Sequence, residues 1–140
     1  MDSLNVALLA VEYALDNHPL WASRIHFGNV PPEEDYPYIW VIFQGGGDRN
    51  EDFHSDPLYT LAVTISSDDQ QEALHGKGYI LDLLNDRGRQ DVNPTISGMN
   101  GWVIRTITAA SAIYMEDPID NAARVYRAGY QFLFNMEASG

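Results

Sequence analysis

The stretch that most restricts the fold is a strand running straight into a helix: Asp56 to Asn85, DPLYTLAVTISSDDQQEALHGKGYILDLLN. Tyr59, Leu61, Val63 and Ile65 alternate with Leu58, Thr60, Ala62, Thr64 and Ser66, the period of a strand that presents two faces. Ser67-Asp68-Asp69-Gln70 then reads as a helix start. Ser67 can cap with its hydroxyl and Gln70 can reach back to it, while Asp68 and Asp69 put negative charge at the positive end of the helix dipole. Ala73, Leu74, Ile80, Leu81 and Leu84 recur at helical spacing as one apolar stripe. Gly76 and Gly78 each cost about 1 kcal/mol of helix propensity against Ala. They point either to a helix lying close on a sheet or to a locally weak turn. The unit is scaffold, with no chemistry visible in it.

The rest of the chain extends the same pattern. Leu4, Ala7, Leu8, Val11 and Leu15, with Ala10 and Ala14 beside them, set out a helix of about four turns. Asp2 or Ser3 caps it and Asn17-His18-Pro19 ends it. Leu20 to Asp35 is irregular, with Arg24-Ile25-His26-Phe27 as a short extended piece and Gly28 to Asp35 as an exposed loop. Tyr38 to Gln44 is nearly all apolar, aromatic and β-branched, which predicts a strand buried on both faces. Gly45 to Ser55 reads as the long tip of a hairpin, mobile in an isolated subunit because it has little to bury.

Trp102 to Met115 and Ala123 to Met136 predict two further strands, joined by a turn over Glu116 to Asn121, with Arg87 to Gly101 irregular. In the last strand Tyr126, Ala128, Tyr130, Phe132, Phe134 and Met136 share a face opposite Arg127, Gly129, Gln131 and Asn135, the cleanest alternation in the sequence. The element order is therefore α-β-β-α-β-β. It predicts an α+β domain spanning residues 1–140, with an antiparallel four-stranded sheet and two helices packed on one face. The other face, with Trp40, Thr60, Thr64 and Arg127, is too apolar in places to stand bare and points to a partner.

At 140 residues and 45% hydrophobic content the chain has enough material for one real core. It holds no cysteine, which excludes disulfides and thiolate metal sites. No apolar run approaches the 18 or so residues of a membrane helix, so no membrane partner is expected. Met1-Asp2-Ser3 lacks the basic start of a secretory signal, so the protein is expected to act where it is made. Twenty acidic residues against 8 basic give a formal charge of −12, which argues against a surface that grips nucleic acid. Acidity serves solubility, or it serves a surface that lies near DNA without holding it.

Individual motifs fail as sites. Asp48-x-Asn50-x-Asp52 begins like a calcium loop, but Phe53 stands where Gly is needed and Tyr59 where a bidentate Glu is needed. His18, His26, His54 and His75 lack ligand spacing, and His54-Ser55-Asp56 are sequence neighbours, which is not how a nucleophile triad is recognised. Gly45-Gly46-Gly47 leads into no helix and so cradles no phosphate. Glu33-Glu34-Asp35 on a Pro-rich loop reads as a solvated acidic tip. No catalytic residue, cofactor or metal is expected, and the chain does not read as an enzyme.

Taken in order, several segments resemble the tail-terminator (tail-completion) proteins of long-tailed bacteriophages. They are an opening helix with Leu8-Leu9-Ala10, then Arg24-Ile25, a Pro-rich loop, and Pro37-Tyr38-Ile39 entering a hydrophobic strand. A strand ending in a polar pair before the Ala73-Leu74 to Leu83-Leu84 helix follows, and then Val125-Tyr126-Arg127 leads into Tyr130-Gln131-Phe132. The resemblance covers roughly residues 4 to 136, and the order and spacing of the motifs carry it. It implies a homo-oligomeric ring, usually of about six copies, that caps the tail tube protein, stops polymerisation and offers the filled head a joining surface. It also implies a channel through which DNA passes without specific binding, at the head-proximal end of the virion tail, with assembly in the host cytoplasm. Rival readings are a head-completion or neck connector and a soluble ligand-binding or regulatory domain. For the ring contact the candidates are Trp40, Gly45, Arg49, Arg87, Arg89 and Arg124; for lumen or tip acids they are Glu33, Glu34, Asp35, Asp48, Asp52, Glu116 and Asp117.

Overall fold

The computed structural model describes residues 3–31, 34–48, 57–85, 102–118 and 124–138. Two helices, α1 (Ser3–Leu15) and α2 (Gln70–Leu84), accompany five strands: β1 (Ile25–Phe27), β2 (Tyr38–Asp48), β3 (Pro57–Ser67), β4 (Trp102–Pro118) and β5 (Arg124–Ala138). The expected antiparallel four-stranded sheet is corrected here. The sheet is five-stranded and mixed, ordered β1-β2-β3-β5-β4, with β1 parallel to β2 and every other pair antiparallel. The element order is accordingly α-β-β-β-α-β-β. The short extended piece became a strand because it lies against β2: Ile25, His26 and Phe27 stand opposite Ile39, Trp40 and Val41. Ile39 N–H donates to Arg24 O at 2.8 Å and Gly28 N–H to Val41 O at 2.9 Å, closing each end.

One sheet face carries the core. Ile39 and Val41 of β2, Leu61, Val63 and Ile65 of β3, Phe132, Phe134 and Met136 of β5, and Ile104 and Ile107 of β4 are buried together. They meet Val6, Ala7, Ala10, Val11 and Leu15 of α1 and Ala73, Ile80 and Leu84 of α2. Burying side chains of this size stabilises by roughly 1.5–3 kcal/mol each against leaving them exposed. The α2 stripe runs Ala73, Gly76, Ile80, Leu84. Leu74, expected within it, is 44% exposed, because one residue is about 100° of helix rotation from Ala73.

Gly76 explains how closely α2 approaches: a Cβ there would run into the side chain of Ile65, which is fully buried on β3. Gly78 faces open space, so only the first of the two glycines is a packing requirement. At the start of α2 the cap is Asp69, whose carboxylate accepts from Gln71 N–H at 2.9 Å. The expected Ser67 cap is displaced inward. Its hydroxyl donates to Glu72 Oε1 at 2.7 Å and accepts from Asp69 N–H at 3.0 Å, so it braces the cap. Ser3 opens α1 with its hydroxyl bonded to that of Tyr59 at 2.5 Å, while Asp2 lies outside the described residues.

Two boundaries also move. Gly45 to Asp48 belong to β2, paired with Thr60 to Pro57, where a hairpin tip was expected; residues 49–56 lie outside the described residues. Gly46 takes φ 114° and sits so close to the Leu58 carbonyl that a Cβ would collide with it, so glycine here permits a strand contact. At the other end of the sheet, Glu116 to Pro118 continue β4 where a turn was expected.

Candidate functional site

The sheet face turned away from the helices is the surface that sequence marked for a partner. In register across it lie Tyr38, Ser66, Arg127 and Met115; then Trp40, Thr64, Gly129 and Ile113; then Ile42, Ala62, Gln131 and Ser111. Trp40 is already engaged within the chain. Its indole N–H donates to Gly28 O at 2.6 Å and the Arg127 guanidinium lies 5.7 Å from its ring centre, within cation–π range. Arg127 also pairs with Asp117 across β4 and β5. A polar string crosses the next row: Ser111 Oγ donates to Gln131 Oε1 at 2.6 Å, and Gln131 Nε2 donates to Gln44 Oε1 at 2.8 Å over the small Ala62. Beneath this layer the Thr64 and Ser66 hydroxyls and Arg127 Nε are buried without a hydrogen-bond partner among the described residues. The face is a mixed polar and aromatic layer held by its own contacts.

The candidate acids fall at two ends of the sheet. Asp35, just before β2, and Glu116 and Asp117, at the end of β4, lie at the end shared with Asp68 and Asp69 at the start of α2, since Ser67, Tyr126 and Glu116 stand in register. Asp48 ends β2 at the opposite edge of the molecule, opposite Pro57. Glu34 is not a free tip acid, because it pairs with His26. Tyr36 has its hydroxyl pKa pushed up by burial, with Tyr38 and Asp68 adding to the rise and Arg127 opposing it. The Tyr114 hydroxyl bridges the acidic end, donating to Glu116 Oε1 at 2.8 Å and accepting from Gln70 Nε2 at 2.7 Å.

Among the ring candidates, Trp40 lies on the outer face, Gly45 on the free end of β2, and Arg124 is exposed at the start of β5 beside Pro118. Arg49, Arg87 and Arg89, with Glu33 and Asp52, lie outside the described residues. The structure thus brings Arg124, Asp35, Glu116 and Asp117 to one end of the sheet and leaves Gly45 and Asp48 at the other.

Sequence reasoning missed two features. Trp21 is fully buried and donates its indole N–H to Leu15 O at 2.8 Å, sealing the end of α1, with His18 stacked on its ring at 4.4 Å. A lone Trp two residues after the helix-ending Pro19 was the available signal. The second is β4 as an exposed border strand, its residues from Thr108 to Pro118 mostly open on both faces.

No group of three or more metal-ligating side chains occurs among the described residues. The hollows among the described residues are open, including one of about 260 Å³ between Leu20, Asp69, Gln71, Glu72, His75 and Tyr79. One of about 310 Å³ is lined by Leu9, Glu12, Tyr13, Asp16 and Asn17, and one of about 240 Å³ by Asn5, Leu8, Leu9, Glu12 and Phe27. Both are open to solvent and lack the enclosure of a small-molecule site. No described helix is long and apolar enough to cross a membrane.

No protein-family model matches the sequence, and no curated protein matches it. Among solved structures, the chain superposes on one chain of the virion of native gene transfer agent (GTA) particle with a TM-score of 0.64 at 14% identity. The match covers 97% of this chain and 100% of that one. At that identity, what is shared is the fold, over the full length of both chains.

Proposed function

We propose that this chain is a structural virion protein of the tail-terminator type, with no catalytic activity of its own. Copies would form a ring that caps the tail tube protein, ends its polymerisation and presents the surface that receives the head-completion or connector protein. The observation that carries the reading is the full-length likeness of fold to a chain of a virion. Three features of the molecule support it. A mixed sheet with one helix-covered face leaves two dissimilar borders, as a cyclic ring of identical copies requires. Asp35, Asp68, Asp69, Glu116 and Asp117 share one end of the sheet with Arg124 and Arg127. Its overall charge of −12 suits a channel wall past which DNA slides, since cationic walls would hold phosphate through counterion release. In this reading assembly takes place in the host cytoplasm and the final location is the head-proximal end of the tail.

The test is depletion of this protein during particle assembly, followed by imaging. Tails of uncontrolled length beside unattached full heads are expected. Tails of normal length beside heads that leak DNA would move the protein to the neck, as a head-completion connector. Particles that are normal and infectious without it would overturn both.

A further inference from the structure

The two borders of the sheet are unequal, and among the described residues each lacks a partner strand where the other could supply one. On one side β4 runs for 17 residues with β5 as its only neighbour among the described residues. Its register against β5 shifts between Ile104 and Thr106 and between Ala109 and Ser111, and beyond the second shift Ser111 to Pro118 pairs regularly. Up to Met115 that last segment carries none of the usual edge protections: from Ser111 to Met115 there is no charge, no proline and no further bulge, and the acids come only at Glu116 and Asp117. Instead it presents Tyr114 at 41% and Met115 at 47% exposure. On the other side β1 shields β2 only over Ile39 to Val41, so Ile42 to Asp48 have no neighbour on that border among the described residues. There Phe43 is 48% exposed.

We propose that the β4 segment Thr108–Asp117 of one copy adds as an antiparallel strand to Ile42–Asp48 of the next copy, joining sheets edge to edge. Direction allows it: β2 is antiparallel to β3, β3 to β5 and β5 to β4, so β4 and β2 run oppositely and copies related by rotation meet antiparallel. The side chains match as well. Phe43 stands in register with Leu61 and Phe132, and Tyr114 with Ala128, so both belong to the helix-side face and would cover one another across the junction. Ile42, Ile113 and Met115 share the outer face. Phe43 is level with Phe132 and Tyr114 with Ala128, so pairing Phe43 with Tyr114 staggers successive copies by about four residues, roughly 13 Å along the strand. A closed barrel requires a stagger of this kind. The contact is heterologous and repeats from copy to copy; its closure into a ring rests on the function proposed above.

Because the chain has no cysteine, engineered pairs report this contact alone. Gln44→Cys lies on the outer face and can be combined in turn with Ser111→Cys, Ile113→Cys or Met115→Cys, which samples the register. Mild oxidation with diamide, native mass measurement and denaturing electrophoresis complete the experiment. The expected result is that one of the three pairs, and neither of its single variants, yields a covalent ladder ending at the ring mass. A ring by native mass with no ladder from any pair overturns the edge contact and leaves the ring standing. Covalent but open-ended chains overturn the ring and leave the contact standing. Efficient dimers from Ile113→Cys alone would show β4 pairing with β4 about a two-fold axis and overturn the proposal, as would a monomer with no cross-link at any concentration. As a second variant, Ile113→Lys should weaken association by tenfold or more while the thermal midpoint of the dissociated subunit is unchanged; undiminished association contradicts the contact.

Discussion

Gly76 and Gly78 stand two residues apart on α2 and carry opposite expectations. Alanine at Gly78 enters open space and gains about 1 kcal/mol of helix propensity. Alanine at Gly76 gains the same propensity but drives its Cβ into the stiff, β-branched side chain of buried Ile65, and overpacking costs about 1–3 kcal/mol. Denaturant unfolding should therefore show Gly78→Ala more stable than the parent and Gly76→Ala level with it or less stable, a split that propensity alone does not produce. His18 supplies a pH-dependent counterpart. Burial against Trp21 and Tyr79 lowers its pKa, and its Nδ1 accepts from Leu20 N–H at 3.2 Å, which needs the neutral ring. With the folded pKa below the unfolded value of about 6.5, its contribution is present above that value and is lost as pH falls through the folded pKa. Thermal midpoints measured across pH 7.5 to 5 should fall in the parent and fall less in His18→Gln. Equal slopes would remove His18 from the account.

Among the elements, α2 tests cap assignment directly. Asp69→Ala removes the acceptor for Gln71 N–H and should cost about 1 kcal/mol by denaturant unfolding. Ser67→Ala, which removes only the brace to Glu72 and Asp69, should cost less; the reverse order would restore Ser67 as the cap. The β3–α2 unit was legible because alternation in Tyr59 to Ile65 and the polar start of α2 are local signals. Local signals showed Arg24 to Phe27 as extended but not its place in the sheet. Three residues carry no readable period, and their strand character comes from pairing with Ile39 to Val41 across a turn of chain. Gly45 to Asp48 misled for a related reason: glycine suggests a loop, yet here a close backbone approach to Leu58 demands it. The site was legible only as a contrast of faces. Glu34 looked like a free acid until His26 was placed beside it, and Trp40 looked available until Arg127 and Gly28 covered it.

The helices take one face of the sheet and the polar-aromatic layer holds the other, which leaves the borders and the end with Glu116 and Asp117 as the surfaces the proposed assembly would use. A single subunit with a charge of −12 repels its copies, and association should strengthen as ionic strength rises and screens that repulsion. The most direct test is the native mass of the purified protein across a range of concentration and salt, with negative-stain images of the same sample. The account predicts a single closed assembly, about six copies around a central hole, growing in population with salt; a monomer at every concentration and salt, or open-ended filaments with no hole, would contradict it.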